Sequence, residues 1–210
     1  MFDSDLRALE REAHDPLVAA GLLRRRVRSG QLASGRVEAA AQLGHLPAAI
    51  AAGRDIDPGY LESGSWFDVL PLDRLLVWAW VVVQRVVRDI DPLLEPYRSA
   101  HPQLATAQAS VLRLIPPALA KRPSALGELE AAQSELEDAV TTSESPDVTG
   151  ICWPVLYLAF AMTEDRAEAR ESVVAISRDA VALYRILLRQ GAEEQERQRG
   201  ELLRLLLEGQ

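Results

Sequence analysis

The 210-residue chain has a single cysteine, a single lysine and no long hydrophobic run. One thiol, Cys152, excludes an internal disulfide framework and a cysteine-based zinc site, and it suits a reducing compartment. The longest unbroken apolar stretch, Leu75 to Val83, is nine residues. That is about half of the ~20 a membrane-crossing helix needs, and Gln84, Arg85 and Arg88 follow closely. Glycine and proline number only 12 each, which excludes collagen-like and linker-like chains. The first residues, Met1-Phe2-Asp3-Ser4-Asp5, carry acids where a secretory leader needs Lys or Arg and then an apolar run. The expectation is a cytoplasmic protein without a membrane segment.

What is present is the balance of a globular protein, 48% apolar and 26% charged, in a length that suits one domain. The net charge of −8 sets the chain against nucleic acid, because phosphate repulsion acts at long range. The acidity is not even. Residues 1–123 carry 15 basic and 14 acidic groups, whereas residues 124–210 carry 8 and 17. Residues 22–54 hold six Arg against one acid, Glu38. Arginine outnumbers lysine 22 to one, the mark of GC-rich coding DNA.

Helix punctuation runs along the whole chain. Asp15-Pro16 reads as an N-cap followed by proline at the first helical position, opening a helix to Arg28. Ser34 opens a short helix that stops at Gly44, and Pro47 opens another that stops at Gly53. Asp73 precedes the most apolar segment, Arg74 to Ile90. Its apolar residues continue past the nine-residue run at helical spacing, and 17 residues is long for a strand. A helix apolar all round is buried on most sides, so this segment is expected to be central. Asp91-Pro92 opens a short helix. His101-Pro102 opens a longer one, which Pro116-Pro117 should kink or end. Ser124 begins a helix over Ala125–Val140 with Glu128, Glu130, Glu135, Glu137 and Asp138 on its solvated face. Thr141 to Gly150 reads as a long surface loop and the one internal sub-boundary. Cys152-Trp153-Pro154 begins an apolar helix, Thr163 caps a long one ended by Gly191, and a leucine-rich helix, Ala192 to Glu208, follows. The expected fold is all-α: an irregular multi-helix bundle or helical-repeat-like array of about eight to ten helices in a single domain, 1–210.

Ala40-Ala41-Gln42-Leu43-Gly44-His45, followed by Ala48-Ala49-Ile50 and Ala52-Gly53-Arg54-Asp55-Ile56-Asp57, resembles an ankyrin repeat. That family carries an Ala-Ala-x-x-Gly-His helix–turn–helix and closes on Gly-Ala-Asp-Ile-Asp. The resemblance spans 18 residues in one copy, without the family's Thr-Pro-Leu-His start. An ankyrin array needs about three stacked copies, so the implication is local: a helical hairpin turned at Gly44-His45.

Catalytic signatures are absent. The sequence has no Gly-rich phosphate loop, no His-Glu-x-x-His, no Gly-x-Ser-x-Gly and no Glu-x-x-His pair. His14, His45 and His101 fall in predicted caps or turns, without a helical partner for metal binding. Cys152 could be activated at a helix N-terminus, but no histidine is placed to act as its base, so a small buried hydrophobe is the plainer reading. No cofactor and no metal are expected. Arg24, Arg25, Arg26 and Arg28 form the densest basic cluster. They either complement a helix C-terminus or meet an acidic protein surface. Trp66 and Phe67 are either core or interface anchors. Leu202, Leu203 and Leu206 either dock the last helix in its own domain or make a two-fold dimer. The functional expectation is a non-enzymatic, protein-binding module of the bacterial cytosol, of immunity- or antitoxin-like type, acting through a charged helical surface. A regulatory or adaptor subunit, or an enzyme whose site sequence does not reveal, is the alternative.

Overall fold

The computed structural model describes residues 13–54, 65–143 and 146–208. Among these, ten α-helices and no strands are present, an all-α multi-helix bundle. No helix among the described residues is long and apolar enough to cross a membrane. The chain divides into two compact units, residues 1–71 with 197–210, and residues 72–196.

The first unit contains α1 (Pro16–Arg28), α2 (Ser34–Gln42), α3 (Leu46–Ala52) and a 3-10 turn, Ser65–Val69. α1 begins as expected: the Asp15 side chain accepts from the Leu17 N–H at 2.8 Å, and proline stands first. α2 gives way to α3 at Gly44, whose φ of +77° is open to glycine without strain. His45 then caps α3, its Nδ1 accepting from the Ala48 N–H at 3.3 Å. The hairpin read from the ankyrin-like residues is therefore formed through Gly53, while residues 55–57 lie outside the described ones. α3 packs on α1 and α2 through small side chains, with Ala19, Ala20, Ala40, Ala48 and Ala49 buried around Leu23. Alanine lets helix axes approach closely and costs no side-chain entropy.

The second unit contains α4 (Leu72–Ile90), a 3-10 turn at Asp91–Leu94, α5 (Glu95–Ala100), α6 (Pro102–Leu119), α7 (Pro123–Thr142), α8 (Pro146–Thr163) and α9 (Arg166–Leu183). A π-helical turn, Tyr184–Leu188, follows, and then α10 (Gly191–Leu207), whose last residues belong to the first unit. α4 packs against α6, α8 and α9, and α8 contacts α4, α6, α7 and α9. Trp78, Val82, Val83 and Val86 are buried on α4. The helix is not covered all round: Asp73, Val77, Val81, Gln84 and Arg88 form one exposed stripe at helical spacing. The more fully enclosed helix is α8, where Ile151, Cys152, Val155, Leu156, Leu158 and Ala159 are all buried.

Three boundaries differ from expectation. The loop at 141–150 is mostly helix. The Thr141 and Thr142 hydroxyls donate back to the Glu137 and Asp138 carbonyls at 2.9 and 2.7 Å, which extends α7, and Pro146 opens α8. α6 ends within a turn of Pro116-Pro117, at Leu119, as expected. Thr163 closes α8, and the cap of α9 is Asp165, whose Oδ1 accepts from Ala167 and Glu168. Gly191 starts α10 instead of ending α9. A Cβ there would lie 2.7 Å from Arg185 Cβ and 3.2 Å from the Val181 carbonyl oxygen, so only glycine permits the approach.

Candidate functional site

The basic cluster at the end of α1 is not one surface. Arg26 is buried and donates Nη2 to the Leu207 carbonyl at 2.7 Å. Arg24 reaches the last carbonyls of α3, with Nε donating to Ala51 at 3.2 Å. Both arginines satisfy helix C-terminal carbonyls that have no intrahelical donor. Arg26 therefore cannot meet an acidic protein surface as the sequence allowed: its guanidinium is spent inside. Arg24, Arg25 and Arg28 remain exposed.

Phe67 is buried at 1% exposure, so it is core and not an exposed anchor; the side chain of Trp66 lies outside the described residues. Leu202 and Leu206 are fully buried within the chain and leave no surface for a second copy, whereas Leu203 keeps partial exposure. Arg199 donates to the carbonyls of Leu43 and Gly44, the latter at 2.8 Å, and so ties α10 to the α2–α3 turn.

Cys152 lies within α8, six residues past its first residue, and is 2% exposed. Burial pushes its thiol up to about 12, with the Arg98 charge opposing and the Asp91 charge adding to the shift. A thiol so placed is protonated at neutral pH and is no nucleophile. Around it, Arg98 donates to Asp91 at 2.5 Å and to Gln108 Oε1 at 2.7 Å. Desolvation raises the Asp91 carboxyl in spite of Arg98. This partly buried polar group joins the Asp91 turn, α5 and α6.

Two further polar contacts were not evident from sequence. Arg85 on α4 and Glu194 on α10 make a buried ion pair of 2.8 Å. Tyr184, in the π-turn, donates its hydroxyl to Asp89 at 2.6 Å, and burial raises its phenol well above the ordinary value. Glu194 stands in a run of charges that reads as solvated. The signal that marks it is spacing: Glu194, Gln198, Leu202 and Leu206 recur every fourth residue, and all four are buried.

One charged surface is unbroken. On α7, Glu128, Glu130, Glu135, Glu137 and Asp138 are all exposed, as read from sequence, while Ala125, Leu129, Ala132, Leu136 and Val140 are buried behind them. No basic residue occurs between Arg122 and Arg166, so nothing in this stretch of chain neutralises them. Beside this face an open groove of about 560 Å³ runs between α6 and α7, lined by Gln103, Thr106, Glu135, Asp138 and Thr142 among others. Among the described residues, no three His, Cys, Asp or Glu side chains are grouped to hold a metal ion.

Comparison with known protein families, with curated proteins and with solved structures finds no match.

Proposed function

We propose that this chain is a non-catalytic protein-binding module of the bacterial cytosol, of immunity- or antitoxin-like type, whose contact surface is the outer face of α7 with its adjoining groove. The partner is a protein that presents a basic surface. The observation that carries the reading is the set of five exposed carboxylates on one helix, in a stretch of chain without a basic residue. Such a single-signed face attracts an oppositely charged partner at long range and raises its rate of encounter. Arg26 is spent inside and Arg24 is engaged with the α3 carbonyls, which moves the emphasis from an acidic partner to a basic one. The buried, protonated state of Cys152 adds support, since it leaves the one cysteine without a catalytic part.

The test is affinity capture from the native host with mass spectrometry, run in parallel on the wild-type chain and on a chain with Glu128, Glu130, Glu135 and Glu137 changed to Gln and Asp138 to Asn. A basic protein held by the wild type and absent from the neutralised chain is the expected result. Identical captures by the two chains, or no specific capture by the wild type, would sink the reading.

A further inference from the structure

The first compact unit holds a second concave site, of about 400 Å³, remote in character from the acidic face. Its walls are apolar: Ala19, Pro47, Leu203 and Leu207. Its polar groups are two guanidiniums, one imidazole and one carboxylate. Arg26 lines it from a buried position, at 1% exposure, and Arg204 lines it from an exposed one. Glu208 contributes one carboxylate. His45 is also part of the lining. Because His45 Nδ1 accepts from the Ala48 N–H, the imidazole proton sits on Nε2, which leaves a neutral donor. Burial, and then the Arg199 charge, keep that ring neutral by lowering its pKa. Two guanidiniums, those of Arg26 and Arg204, thus line the apolar hollow with the single carboxylate of Glu208, and the Arg199 charge bears on His45.

One wall is lowered by Gly200, inside α10. A Cβ built there meets no atom within 4 Å, so packing does not demand a glycine. A helix-interior glycine is less favourable than alanine. At this position its effect is to leave the hollow open.

We propose that this hollow binds a small monocarboxylate with an apolar body, of aryl or medium-chain alkyl type. The volume falls within the ~300–1,000 Å³ range of small-ligand sites. A carboxylate gains from charge-assisted donation by Arg204 and from the His45 Nε2–H, while the apolar body is covered by Leu203, Leu207, Pro47 and Ala19. The Arg204 charge at the rim favours an anion over a neutral analogue of the same shape.

Isothermal titration of the full chain with benzoate and with hexanoate tests this, with benzamide and hexanamide as neutral controls. The expected result is saturable binding of a carboxylate, with Kd below about 1 mM, and no measurable binding of its amide. Gly200→Leu should abolish binding by filling the hollow. Arg204→Gln, at an exposed position that the fold does not need, should weaken it by about tenfold. Absence of saturable carboxylate binding, equal binding of acid and amide, or unchanged affinity in Arg204→Gln overturns the proposal. If Gly200→Leu fails to fold, as read by its circular dichroism melt, the Arg204→Gln result decides.

Discussion

Arg85 and Glu194 are 109 residues apart in the chain and meet as a buried ion pair, Nη2 to Oε1 at 2.8 Å. Two charges removed from water are costly unless each finds its partner, so the register of α10 on α4 is fixed by this contact. Removing one member takes this counter-charge from the other, which stays buried. Arg85→Met or Glu194→Leu alone should each cost about 3–5 kcal/mol, and the double variant should cost less than either single one. Urea unfolding of the three variants checks this. Additive losses would mean that the pair is not coupled.

Cys152 should be inert in the native protein. Burial pushes its thiol up to about 12 from an ordinary 9.0. A thiol reagent at mildly alkaline pH should react only after denaturant is added; prompt modification of the native chain would contradict the burial. The same shift has a stability consequence. The folded pKa is raised, so the contribution is fully present below 9.0 and is lost as pH rises toward about 12. Tyr184 shifts in the same direction, through burial and its bond to Asp89, and reinforces the loss. Cys152→Ala should therefore show a shallower fall of melting temperature with alkaline pH than the wild type.

Two arginines two residues apart on α1, Arg26 and Arg28, should behave differently. Arg26→Met removes the donor to the Leu207 carbonyl and should cost about 1–3 kcal/mol. Arg28→Gln changes an exposed side chain and should stay within about 0.5 kcal/mol of the wild type. Thermal melts of both variants check the contrast, and equal losses would refute the buried role of Arg26.

His45 should make the first unit sensitive to acid. Its Nδ1 caps α3, and protonation would take that acceptor away. Burial and Arg199 lower its folded pKa below 6.5, so its contribution is present above that value and is lost as pH falls below it. His45→Asp supplies an acceptor that stays ionised through this window, and aspartate is a favoured N-cap. The variant should show a flatter dependence of stability on pH between about 5 and 7. An unchanged pH profile would show that the imidazole cap carries no weight.

Much of the helical scaffold was legible because local chemistry agreed with tertiary structure. Asp15-Pro16 caps α1, and Gly44 and Gly53 close α2 and α3, where residue type alone sets the backbone. The apolar run of α4 and the alternate faces of α7 were likewise readable from spacing. What sequence did not reveal depends on partners distant along the chain. Arg26 looks like its exposed neighbours until the Leu207 carbonyl arrives from α10. Glu194 looks solvated until Arg85 meets it. The turn residues at 141–150 read as loop because Thr and Ser favour turns, yet the hydroxyls of Thr141 and Thr142 bond to carbonyls of their own helix. The exposed acidic face of α7 was readable from sequence; the groove beside it, formed with α6, was not.

The central claim, that this face carries partner binding, is tested most directly by association kinetics with the protein captured above. The association rate constant is measured across ionic strength for the wild-type chain and for the chain neutralised at Glu128, Glu130, Glu135, Glu137 and Asp138. The account predicts a wild-type rate that falls steeply as salt rises, and a neutralised chain that associates slowly with little dependence on salt. Equal rates and equal salt dependence in the two chains would contradict it.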